Sequence, residues 1–145
     1  TGVGAGSGRV YIWTYMMDLV KERPLFGYGL DSLMYNFQHY NIDARANLET
    51  EAVIVDKPHN MYMGILYGTG FVGFIAFILL VFTTTWASLK QVFKKQDNVV
   101  ATVLAVGVLA FLFQAIFNDT LPGIGGVMWV LIGIIFAIKR PLIER

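Results

Sequence analysis

The chain has 145 residues, of which 56% are hydrophobic and 14% charged, and its formal net charge is +1. Without Cys it has no disulfide or thiolate metal site, and its two His have no third close partner to complete a zinc site. The near-neutral balance offers no clustered cations for nucleic acid, and no basic start with a short apolar core and small-residue cleavage site marks a signal peptide.

In chain order, Gly2 to Gly8 is a glycine-rich lead-in. Its spacing is neither GxGxxG nor GxxxxGK[ST], and it reads as a linker or tight turn. Ser7 is placed to cap a helix over residues 8 to 22, with Val10, Trp13, Met17 and Val20 on an amphipathic face that suits a membrane surface. Arg23 precedes Pro24 and so disfavours helical geometry. Gly27 and Gly29 then break the chain, and Asp31 is placed to cap a second short helix through about Tyr40, on which His39 is expected to be solvated. Residues 41 to 57 are polar and mixed in charge, and are expected to form a mobile loop of the kind that gates sites.

Three apolar segments follow. Phe71 to Leu89 carries no charge and would be roughly 28 Å long as a helix, close to the hydrocarbon thickness of a bilayer. Val99 to Phe117 has Gln114 as its one strongly polar side chain, and Leu121 to Ile138 is free of charge. These segments are apolar all round, unlike the striped helices of a soluble chain. The expected architecture is therefore an all-α membrane protein: an extracytoplasmic helical loop region over 1–60, then a transmembrane region over 61–145 with spans at about 71–89, 99–117 and 121–138. Gly64 and Gly68 form a GxxxG pair, continued by Gly70 and Gly73, which reads as a face for close helix packing.

Lys90, Lys94 and Lys95 follow the first span, and Lys139, Arg140 and Arg145 follow the third, so both ends are expected in the cytoplasm. Residues 1–60, with five cations against seven acids, and the Asn118-Asp119-Thr120 turn then face outward. A polar segment leading outside, starting at Thr1, implies an earlier span, so the chain reads as the C-terminal part of a longer protein. Trp13, Tyr15, Tyr28, Tyr35, Tyr62 and Trp129 suit either an interfacial aromatic belt or stacking on sugar rings.

Two residues stand apart. Arg9 opens a helix, where its charge adds to the positive end of the helix dipole, an unfavourable position that an anion such as phosphate would relieve. His59, in Pro58-His59-Asn60, is stiffened by the proline and held where Asn60 can cap the next helix. There it is either a base at the membrane boundary or an ordinary interfacial histidine.

Ser7-Gly8-Arg9-Val10-Tyr11-Ile12-Trp13, Arg23-Pro24-Leu25-Phe26-Gly27-Tyr28-Gly29 and Pro58-His59-Asn60-Met61-Tyr62, with Gly70 and Gly73 downstream, resemble the C-terminal half of the O-antigen ligase and O-antigen polymerase superfamily. The resemblance implies a fragment of a multi-span, GT-C-like glycosyltransferase of the bacterial inner membrane, using no cofactor, metal or nucleotide sugar. It implies a glycan donor on a polyprenyl diphosphate such as undecaprenyl diphosphate, an acceptor hydroxyl on a glycan or lipid, and no nucleic acid partner. Carried over, Arg9 would bind the diphosphate and His59 would be the base, with Arg23, Asn60 and Tyr62 assigned to substrate binding. Two features depart from the pattern: Gly68 stands where members of the family often carry an acid after the histidine, and a further arginine of related enzymes would lie upstream of Thr1. The rival class is a multi-span transporter or flippase, which calls for polar groups near the bilayer midplane. A membrane scaffold is a third.

Overall fold

The computed structural model describes residues 6, 8–48, 53–93, 98–119 and 122–138, and every regular element among them is a helix. These are α1 (Arg9–Glu22), α2 (Leu33–Asn36), α3 (Ile42–Asn47), α4 (Met61–Phe93), α5 (Val99–Gln114) and α6 (Pro122–Ile138). Ser7, Thr120, most of the glycine-rich lead-in and the basic residues Lys94, Lys95, Lys139, Arg140 and Arg145 lie outside the described residues.

The chain divides into two compact units, Thr1–Phe77 with Ile116–Asp119, and Ile78–Ala115 with Thr120–Arg145. In the first, α1 presents Ile12, Met16, Leu19 and Val20 to a core shared with Leu33, Phe37, Val55, Leu66 and Tyr67. The spacing i, i+4, i+7, i+8 is one face of a helix. Val10, expected on that face, is instead exposed, and Trp13 and Met17 lie at its edge, because Ile12 and Met16 supply the better-centred stripe. Burying side chains as fully as Met16 and Leu33 contributes about 1.5–3 kcal/mol each.

Between α1 and α4 the expectations need correction. Asp31 does not cap α2: it has a left-handed φ of 55°, and Ser32 is the cap residue. Part of the expected loop is helical, since the Asn41 side chain accepts from the Asp43 N–H and starts α3. His39 is half-buried. Its Nε2 accepts from the Val55 N–H at 2.9 Å and its ring meets Phe37 edge-on, so it fastens the extended segment 53–57.

The break in α4 is the main departure from the expected glycine face. At Gly70, φ is 65° and ψ −171°, so two helical stretches meet at a kink. The Pro24–Gly29 loop enters that kink and supplies the missing backbone partners. Phe71 N–H donates to the Pro24 carbonyl at 2.7 Å and Val72 N–H to that of Leu25 at 3.3 Å, while Tyr28 and Gly29 N–H donate to the carbonyls of Tyr67 and Gly68 at 3.0 and 2.9 Å. Gly27 (φ 68°) and Gly70 make this possible, for a Cβ on Gly27 would fall on the Tyr67 carbonyl oxygen and one on Gly70 on the Leu25 carbonyl. Gly64 faces Pro58 and Gly68 faces Leu30, so within this unit the glycines receive a loop.

In the second unit, Ala87, Ala105, Val108, Leu112, Met128, Ile132 and Ile135 form an apolar core, and α5 packs on α6. Asn98 caps α5 through the Ala101 N–H at 3.0 Å. The side chains of Thr84, Ser88 and Gln91 are buried, with Thr84 Oγ1, Ser88 Oγ and Gln91 Nε2 lacking a hydrogen-bond partner. By length and composition α4 can cross a membrane, while Val99–Gln114 and Gly125–Ala137 are shorter apolar helices.

Candidate functional site

The first unit gathers its chemistry at the start of α4. Asn60 is the cap residue: it is buried, and its Oδ1 accepts from the Met63 N–H at 3.1 Å. Three further N–H groups at this helix start are met from the turn after α5. The Asp119 carboxylate accepts from the His59 and Asn60 N–H groups at 2.9 and 3.2 Å, and the Asn118 carbonyl accepts from Met61 N–H at 3.1 Å. A carboxylate here is favoured by the positive end of the helix dipole.

His59 itself has a left-handed φ of 53°, a conformation that costs a non-glycine residue about 1–3 kcal/mol and persists only where its surroundings fix it. The two Asp119 bonds fix one side. On the other, Trp13 Nε1–H donates to the Pro58 carbonyl at 2.7 Å. The imidazole Nδ1 lies 3.1 Å from Asp119 Oδ2, and the His59 side chain is 49% exposed against 13% for Asp119. With Nδ1–H directed to the carboxylate, Nε2 is left as the accepting nitrogen on the open side of the ring.

Arg9 and Trp13 are four residues apart on α1 and therefore neighbours on one side of that helix. Through Trp13, α1 is tied to Pro58, and through that tie Arg9 comes to the same cleft as His59. This cleft, of about 180 Å³, is lined by the charged or polar residues Arg9, Asp56, Lys57 and His59 and by the apolar residues Ile12, Leu48 and Val53–Val55. Arg9 is half-buried, and its Nη1 donates to the Phe117 carbonyl at a long 3.5 Å. The rest of the guanidinium fork remains for an anion. Lys57 reaches Asp31 at 3.8 Å, an ion pair whose acid is 79% exposed and which solvent screens.

The other expected site residues lie elsewhere. Arg23 stacks 4.6 Å above the Tyr28 ring and does not line the cleft. Asn60 is committed to capping, and Tyr62 packs against Phe77 with ring centroids 5.7 Å apart. Of the aromatics open to sugar stacking, Trp13 and Tyr15 are held by hydrogen bonds to the Pro58 and Asn36 carbonyls, and Tyr28 stacks on Tyr67 at 5.3 Å. Tyr35 is exposed. Asp119 was not singled out as a site residue by sequence reasoning. The available signal was topological: an acid in the turn between the second and third expected spans is expected on the same face as His59.

The family model described as O-Antigen ligase matches residues 2–78. A protein of Haemophilus influenzae described as uncharacterized is 31% identical to the chain over 91 residues, which cover 63% of this chain and 22% of that protein. The chain thus spans about a fifth of the length of the curated relative it matches. No solved structure matches it.

Proposed function

Because the chain belongs to the O-antigen ligase family, we propose that it forms part of a bacterial inner-membrane glycosyltransferase, of the ligase or polymerase kind, that works on the outer face. The donor is a glycan on a polyprenyl diphosphate and the acceptor a hydroxyl of a second glycan or a lipid. The observation that carries this reading is the convergence of Arg9 and His59, fifty positions apart, on one cleft, with the His59 ring set against Asp119. In this account α4, α5 and α6 are three spans, and residues 1–60 and the Asn118–Asp119 turn lie outside.

The chemistry follows from the groups present. As the bond between sugar C1 and the phosphate oxygen breaks, its electron pair passes to the diphosphate, and Arg9 stabilises that growing charge through charge-assisted hydrogen bonds. The acceptor oxygen forms the new bond to C1, and its proton passes to His59 Nε2, a transfer typically worth about 10² to 10⁴ in rate. Asp119 holds the ring in the tautomer that leaves Nε2 accepting. Lys57, which also lines the cleft, adds positive potential for a diphosphate.

Full-length protein, supplied with lipid-linked donor and acceptor and without added metal or ATP, should form ligated or elongated glycan. Arg9→Lys keeps the charge but loses the planar two-point fork, so it should bind donor more weakly and turn over more slowly, and Arg9→Ala more slowly still. Full turnover by Arg9→Ala at matched protein levels would remove Arg9 from the site. Movement of intact donor across the bilayer with no new glycosidic bond would instead support the transporter reading, to which the unpaired Thr84, Ser88 and Gln91 side chains lend some weight.

A further inference from the structure

The Pro24–Leu30 loop is more than a backbone splint for α4. Much of its apolar surface is open: Leu25 is 60%, Phe26 75% and Leu30 63% exposed. Large apolar side chains so open to water are costly when clustered and mark a surface that meets another apolar phase. Phe71 and Val72, which donate to the loop, continue the same character, and Ile75, one turn further on, is exposed as well. These three open the apolar stretch expected to enter the bilayer.

Several of the loop's backbone groups are also satisfied within the protein. Irregular backbone is tolerated at membrane depth only when its polar groups find partners within the protein. Here the carbonyls of Pro24 and Leu25 accept from Phe71 and Val72, and the N–H groups of Tyr28 and Gly29 donate to α4. Gly27 N–H donates to the Arg23 carbonyl at 3.1 Å, and Ser32 Oγ–H lies within hydrogen-bonding distance of the Tyr28 and Gly29 carbonyls at 3.2 and 2.8 Å. Pro24 has no N–H to satisfy. Beside the loop, the Arg23 guanidinium lies over the Tyr28 ring and the Tyr28 hydroxyl bonds Glu22. That trio of long or amphipathic side chains suits the headgroup layer.

We infer that Pro24–Leu30 is a lipid-inserting loop: Leu25, Phe26 and Leu30 enter the acyl chains of the outer leaflet, and Glu22, Arg23 and Tyr28 stay among the headgroups. The occupant of this surface is bilayer lipid. The inference rests on the reading that α4 crosses the membrane, and its test separates the two. Inserted this way, the loop fixes the depth at which the first unit stands, and with it the height of the Arg9 and His59 cleft over the bilayer.

The experiment places spin labels singly at Phe26→Cys, Leu30→Cys, Ile75→Cys and Ile42→Cys in full-length protein freed of any other cysteine. The protein is held in phosphatidylcholine and phosphatidylglycerol nanodiscs, and collision with oxygen and with a water-soluble nickel chelate is measured. Labels at residues 26, 30 and 75 should show an oxygen-to-nickel ratio several-fold above that at residue 42. A label at 26 that meets nickel as freely as one at 42, while the label at 75 stays in lipid, overturns the loop assignment and leaves the span intact. Labels at 26 and 30 screened from both reagents would show a protein cover and equally overturn it. A water-exposed label at 75 contradicts the span itself. Phe26 and Leu30 are exposed, so replacing either leaves the core untouched, and each serves as a check on the other.

Discussion

Both units have an apolar core, but the first adds paired polar groups at defined places, whereas the second rests mainly on apolar side chains against one another. In the first, the start of α4 is closed by Asp119, Asn118 and Asn60, and its break by the Pro24–Gly29 loop. In the second, small and branched residues such as Ala87, Ala105, Val108 and Ile132 fill the core. Apolar packing is non-directional and accepts many sequences. Hydrogen bonds fix distance and angle, so they recur where a reacting atom must be placed. The contrast predicts that single substitutions in the first unit act sharply and those in the second mildly.

The largest contrast is expected among glycines. Gly70→Ala and Gly27→Ala each force a side chain into backbone at a left-handed φ and should cost more than about 3 kcal/mol, seen as loss of folded protein on thermal unfolding in detergent. Gly107→Ala and Gly133→Ala lie in helix interiors, meet nothing within 4 Å and should leave stability unchanged or raise it by up to about 1 kcal/mol. Equal responses from the two pairs would erase the distinction between the units.

Next in size is Asp119→Asn. It keeps the shape but removes the charge that orients the His59 ring and one of the two oxygens that accept from the His59 and Asn60 N–H groups, so kcat should fall by about 10- to 100-fold with the KM for donor little changed. An unchanged kcat would confine Asp119 to capping α4.

The smallest effect separates the units by pH. All seven tyrosines precede Phe77, and burial raises the pKa of both Tyr11 and Tyr15 above 10.0, with Asp43 adding to the rise at Tyr11. A phenol with a raised folded pKa holds its proton longer than in the unfolded chain. Its contribution is therefore complete below about pH 10 and is lost as pH climbs through the folded values. Hydrogen exchange should show the first unit loosening above pH 10 before the second; simultaneous loosening would contradict that order.

Local pattern made parts of this molecule legible in the sequence. Apolar residues at helical spacing gave α1 within a residue or so of its ends, Pro24 and Gly27 marked the break after it, and Asn60 was recognised as a cap. Nonlocal bonds were not legible. Gly70 looked like one member of a small-residue face because the loop that fills its kink lies more than forty positions away. His39 looked solvated because its partner, the Val55 N–H, is a backbone group that no side-chain pattern reports. Asp119 is sixty positions from His59 and looked like an ordinary turn residue. The sequence pointed to Arg9 and His59 separately, and it is the Trp13 bond to Pro58 that brings their segments together.

The central claim is that His59 Nε2 takes the acceptor proton, and the most direct measurement is single-turnover transfer by full-length protein carrying His59→Ala or His59→Gln, with donor binding measured in parallel. The account predicts that both variants bind the polyprenyl diphosphate donor as the parent does and transfer glycan at least about 10²-fold more slowly. Near-parental transfer by His59→Ala would contradict it, and loss of donor binding would make His59 a ligand of the diphosphate instead of the base.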